Sequence, residues 1–232
     1  MEKKEDILMK FINNNHKLRE IIFFSEKDLK ELWFSKEDID LLVSEKILNI
    51  YEIKDKCIYS LWEQDFAMTS DYLIILAELL NNDSYLTATS ALSMYGITYW
   101  WVETMHFSAD KKEKINIGKT NLFFLKSGIV NEYSFEEDFY TISPWIVGNI
   151  SVLKKYKLAT PEQALVDFFL NERFIYSEEE LKDLFCKFEL KEKVNLDRLN
   201  YIVELNINSN LDFNEVFSKN IEELKKIITN IK

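Results

Sequence analysis

Apolar positions recur at helical spacing from the start of the chain. Ile7, Leu8, Phe11 and Ile12 share one face of a helix predicted over 3–13 and ended by Asn13, Asn14 and Asn15. After the short apolar run Ile21–Phe24 comes Ser25, with Asp28 three residues on, the signature of a helix start. It predicts a short helix over Glu26–Trp33. Ser35 and Asp38 repeat the signal at the head of a second helix, through Lys46, with Ile39, Leu42 and Val43 on its apolar face. Ile47–Ile53 and Cys57–Leu61 are rich in β-formers and flank the polar Lys54-Asp55-Lys56, which predicts a hairpin. Three helices and then a hairpin is the order of a winged helix, an order that other small α/β units share.

Asp71–Leu80 is strongly apolar and predicts a helix, broken by Asn81-Asn82-Asp83-Ser84. Ser84 or Thr87 then caps a helix through Met94, and Gly96 stands where a helix-ending residue belongs. Thr98–Phe107 reads as strand, Lys111–Lys114 as a charged turn, and Ile115–Ile117 and Leu122–Leu125 as strands joined through Gly118. Further short strands are expected over 130–158. Thr160-Pro161-Glu162 opens a helix with an N-cap, a first-position proline and an acidic first turn; its buried face is Ala164, Leu165, Phe168 and Phe169. Helices over Ser177–Phe188, Leu196–Leu205 and Asn214–Ile231 complete the chain. The predicted fold class is α+β. A winged-helix-like domain spans 1–65, and 66–232 forms a central mixed α/β domain with a small sheet, followed by C-terminal helices.

Composition narrows the function. A content of 47% hydrophobic residues supplies a packed core and excludes a disordered chain. The net charge is −11. Residues 1–62 carry 11 basic and 13 acidic groups (−2), 63–169 carry 8 and 14 (−6), and 170–232 carry 10 and 13 (−3). Such a chain repels phosphates unless its cations gather on one face, so a cationic protein is at least as natural a partner as nucleic acid. Cys57 and Cys186 make no disulfide framework and are expected to be buried. No secretory signal and no apolar run of about 20 residues is present, so a cytoplasmic location without membrane contact is expected.

Catalytic chemistry finds little to work with. His16 reads as exposed and His106, in a strand-like stretch, as a hydrogen-bonded structural histidine. No metal-ligand spacing or glycine-rich phosphate loop occurs. Glu136-Glu137-Asp138 is an acidic cluster whose simplest reading is a solvated loop. No enzyme activity, cofactor or metal is expected; a magnesium-dependent nucleotidyltransferase or nuclease is the remote alternative.

Three segments in order carry a family resemblance. YLTATSALSMYGI (Tyr85–Ile97) and KLATPEQALVDFF (Lys157–Phe169) resemble the two central elements of AbiEi-type antitoxins, the antitoxin half of type IV abortive-infection toxin–antitoxin pairs. The hairpin Ile47–Leu61 is similar to the wing that closes that family's N-terminal winged helix. The resemblance covers roughly residues 20–170. It implies a winged-helix DNA-binding domain followed by an antitoxin domain, in a transcriptional regulator that represses its operon and neutralises a nucleotidyltransferase toxin. Cys57-Ile58 stands where the family has glycine before Tyr59, and Ser35–Lys46, the counterpart of a recognition helix, sets Lys36 and Lys46 against Glu37, Asp38, Asp40 and Glu45.

The candidate DNA contacts are therefore Lys36, Lys46, Lys54 and Lys56, facing operator DNA. The candidate partner contacts are the aromatic group Tyr99, Trp100 and Trp101 and the basic cluster Lys154, Lys155 and Lys157. Against the antitoxin-like regulator stands a second reading. It is an acidic protein inhibitor of a nucleic-acid-handling enzyme, such as a phage-borne nuclease inhibitor or an anti-CRISPR, that has lost DNA binding.

Overall fold

A computed structural model describes residues 2–19, 23–60, 70–81, 84–98, 104–117, 120–135, 157–209 and 215–230. The chain is α+β: the described residues form ten helices and two three-stranded sheets, with helices at both ends. They part into two compact units, the first reaching Asn81 and the second starting at Ser84. The division expected near residue 65 falls among 61–69, outside the described residues.

Unit 1 runs α1 (Glu2–Arg19), β1 (Phe24–Ser25), α2 (Glu26–Glu31), α3 (Lys36–Ser44), β2 (Asn49–Ile53), β3 (Lys56–Ser60) and α4 (Ser70–Leu80). Its sheet order is β1-β3-β2, antiparallel throughout, with Phe24 opposite Tyr59 and Ile53 opposite Lys56. Ser25–Asp28 and Ser35–Asp38 form full capping boxes at the heads of α2 and α3. Both helices end in the same left-handed turn. After α2, Trp33 N–H donates to Lys30 O and Phe34 N–H to Leu29 O; after α3, Lys46 N–H donates to Val43 O and Ile47 N–H to Leu42 O. Leu29, Phe34 and Leu42 join Ile7, Phe11, Phe24, Ile39, Leu48 and Tyr59 in one core, with Ile47 packed against it. Each such large side chain contributes roughly 1.5–3 kcal/mol on burial.

Two expectations fail here. α1 continues through the asparagines to Arg19. Asn14 satisfies its side chain on Lys10 O at 3.0 Å instead of competing for the backbone ahead of it. Cys57 is exposed, not buried: it lies at the hairpin end of β3, opposite the exposed Glu52 and ahead of the buried run Ile58–Ser60.

Unit 2 holds α5 (Ala88–Met94), β4 (Thr104–Ala109), β5 (Glu113–Ile117), β6 (Thr120–Lys126), α6 (Pro161–Asn171), α7 (Glu178–Leu184), α8 (Lys187–Lys193), α9 (Leu196–Asn208) and α10 (Glu215–Asn230). The sheet order is β4-β6-β5, with β4 parallel and β5 antiparallel to β6. α6 lies at the centre, in contact with α5, α9, α10 and β6, and every residue from Pro161 to Phe169 is buried. Thr160 caps it and Pro161 takes its first position, as the sequence predicts. Gly96 ends α5 at φ +72°, also as predicted.

The helix predicted over Ser177–Phe188 is two helices. Phe185 turns extended and bridges Thr98, and Cys186 N–H donates to Ile97 O, so backbone pairing with the residues after α5 interrupts the helical ladder. The strands expected over 130–158 fall largely outside the described residues; Phe135 and Leu158 make single bridges, to Ala159 and Leu86.

Candidate functional site

All four candidate DNA contacts are exposed in unit 1. Lys36 is the first residue of α3 and is exposed. Lys46 is the left-handed residue after α3, at φ +58°, and Lys54 the first residue of the two-residue β2–β3 loop, at φ +60°. Lys56 is employed within unit 1. Its Nζ donates to Leu79 O (3.0 Å) and Leu80 O (2.7 Å), closing the end of α4. Helix-terminal carbonyls lack partners and carry partial negative charge, so an ammonium there is stabilising.

The same surface carries acid. Glu37, Asp40 and Glu45 are exposed on or beside α3. Asp38 is held by its own cap and by Lys10 at 3.7 Å. Sequence reasoning missed Trp33. It is 84% exposed and sits at φ +68°, in a turn position that glycine ordinarily fills. A branched or bulky residue there costs roughly 1–2 kcal/mol. The only sequence signal was the absence of glycine after a capped helix.

In unit 2 the two motif segments meet at a buried carboxylate. Asp167 on α6 is fully buried and accepts four hydrogen bonds. Tyr85 Oη (2.9 Å) and Thr87 Oγ1 (2.6 Å) donate to Oδ2; Gly128 N–H (2.7 Å) and Gln163 Nε2 (2.8 Å) donate to Oδ1. Thr87 occupies the N-cap position of α5, yet its hydroxyl serves Asp167 and not the helix. Gln163 continues the network, accepting from Ser134 Oγ at 2.8 Å. Gly128 is required for it: a Cβ there would stand 2.8 Å from Asn206 Oδ1, itself pinned by Ile129 N–H. Burial pushes the Asp167 carboxyl above the usual range, opposed by the bonds from Thr87, Gly128, Gln163 and Tyr85. Burial likewise raises Tyr85, and the adjacent carboxylate adds to the effect. This is a joint between α5, α6 and the loop after β6, with every oxygen of the carboxylate occupied.

His106 on β4 bonds Thr89 Oγ1 through Nδ1 at 2.8 Å. Burial, with Lys112 adding, pushes it down to about 4, so it is neutral at pH 7. Among the described residues, no group of three or more His, Cys, Asp or Glu is arranged to hold a metal ion, and no helix is long and apolar enough to cross a membrane. Of the candidate partner contacts, Tyr99, Trp100, Trp101, Lys154 and Lys155 lie outside the described residues, as does Glu136-Glu137-Asp138. Lys157 is exposed, its Nζ 5.8 Å from the centre of the Phe135 ring. No protein-family model matches the chain, and no curated protein matches its sequence.

Proposed function

We propose that the protein is a non-catalytic, antitoxin-like binding protein whose first unit engages operator DNA and whose second serves a partner protein. The observation that carries the DNA half is the sheet order β1-β3-β2 with two capped helices between β1 and β2. Winged helices present a reading helix beside a wing in this arrangement. Fluorescence anisotropy against the protein's own upstream DNA at low salt tests it. Saturable binding is expected, weakening as salt rises and lost when Lys36, Lys46 and Lys54 are changed together to Glu, while Lys56→Gln leaves affinity near wild type. Absence of binding at low salt removes the DNA half, because phosphate attraction is strongest there.

The second reading, an acidic inhibitor of a nucleic-acid-handling enzyme, is favoured by exposed Glu37, Asp40 and Glu45 around α3 and by a net charge of −11. It expects no DNA binding at any salt, and a basic partner whose complex weakens as salt rises.

A further inference from the structure

The loop between α6 and α7 presents two large apolar side chains to solvent. Phe174 is 71% exposed and Ile175 51%. The loop that carries them is tied down at three points. Asn220 of α10 is fully buried; its Nδ2 donates to Phe174 O and its Oδ1 accepts from Tyr176 N–H, each at 2.8 Å. Both ends of one buried amide thus hold the backbone on either side of Ile175. Tyr176 stacks its ring on Phe168 and sets it edge-on to Phe169, and its hydroxyl donates to Glu172 Oε2 at 2.8 Å. Ser177 then opens α7 in a capping box with Glu180.

A buried amide is costly unless both ends are paired. Here it fixes the backbone around Phe174 and Ile175, whose side chains stand exposed, while Tyr176 anchors the loop on the core. Fixing such a loop in advance lowers the ordering cost of docking. An aromatic anchor within a charged rim is the anatomy of an interface hot spot. The rim is acidic: over 172–183, Glu172, Glu178, Glu179, Glu180 and Asp183 outnumber Arg173 and Lys182, the latter paired with Glu178.

We propose that the Phe174–Ile175 loop is a docking surface for a basic protein that offers an apolar recess ringed by lysine or arginine. Charge selects the class of occupant. Glutamates repel the phosphates of nucleic acid, and a second copy of this chain would bring like charge to like. The proposal rests on the partner-binding half of the proposed function and is independent of the DNA half.

The test uses the full chain with the photoreactive p-benzoyl-phenylalanine in place of Phe174, expressed in its native cells, irradiated, and the adduct identified by mass spectrometry. The expected result is an adduct with a protein of basic isoelectric point. Its yield falls about tenfold or more when Glu178 and Glu179 are changed to Lys, when Ile175 is changed to Asp, and when salt is raised. The same probe at Met9, exposed in unit 1, gives no such adduct. These side chains are exposed; the Glu178 and Glu179 changes lose the Glu178–Lys182 pair and the acidic first turn of α7 and lower the melting midpoint slightly, so adduct yields are compared below the melting range, where every variant is folded. An adduct with nucleic acid, with a second copy of this chain or with an acidic protein overturns the proposal, as does one indifferent to the charge reversals. If a partner still co-purifies with Ile175→Asp, partner binding stands and this surface falls; if wild type holds no partner, both fall.

Discussion

At the scale of single residues, Asp167 and Trp33 mark opposite uses of free energy. Asp167 satisfies four donors on three different segments. Replacement by Ala leaves all four without their acceptor in the interior and is expected to cost about 3–5 kcal/mol in chemical denaturation. Asp167→Asn keeps an acceptor for Gly128 and Gln163 and turns an amide donor toward the two hydroxyls, which can accept, so a markedly smaller loss is expected. Equal losses for the two variants would show that charge, not hydrogen bonding, holds the joint. Trp33 runs the other way. Its backbone position suits glycine, and its ring is in solvent. Trp33→Gly is expected to raise stability by about 1 kcal/mol, measured as a higher denaturation midpoint with unchanged slope. A lower midpoint would mean the indole makes a stabilising contact that outweighs the strain.

At the scale of elements, helix starts were legible because their signals are local. A serine and an acid three residues apart are enough to close a capping box, and Ser25, Ser35 and Ser177 all do so. Ser35→Ala removes the acceptor for Asp38 N–H and is expected to cost about 1 kcal/mol, with the far-UV spectrum otherwise retained. A loss below a few tenths would show that the Asp38 side chain alone holds the end. Helix interiors and ends were less legible. The asparagines of α1 spell a break, yet the helix runs on to Arg19 with the Asn14 side chain bonded back to Lys10 O. The break at Phe185 has no local signal, since the backbone that interrupts the helix there lies after α5, far away in sequence. The Thr87 hydroxyl shows the same rule, leaving its own helix for a carboxylate 80 residues away.

At the scale of the molecule, pH reports on buried titratable groups. His106 is depressed from 6.5 to about 4, so the unfolded chain takes up a proton before the native state does. Its contribution is fully present above about 6.5 and is lost as pH falls through about 4, a loss of at most about 3 kcal/mol. The difference in stability between wild type and His106→Gln is expected to shrink over that window; a constant difference would refute the depressed value. Asp167 acts with the opposite sign. Its raised carboxyl contributes stability below the ordinary carboxylate range that is lost as pH rises through its folded value, so wild type minus Asp167→Asn should fall with rising pH there.

The sequence by itself determined what depends on near neighbours and on totals: the α+β class, the order of the helices and the hairpin in unit 1, the caps at Ser25, Ser35 and Thr160, the turn at Gly96 and the acidic balance. Periodicity, capping and charge are properties of a few adjacent residues or of a sum, and neither requires knowledge of the fold. Tertiary structure alone decided the pairing of β1 with β3, the parallel pairing of β4 with β6, the engagement of Lys56 at α4, the meeting of Tyr85, Thr87 and Gly128 on Asp167, and the clamping of Phe174 by Asn220. Each of these joins groups more than ten residues apart. The free energy that selects them, burial of apolar area and pairing of polar groups removed from water, exists only once the chain has closed around them.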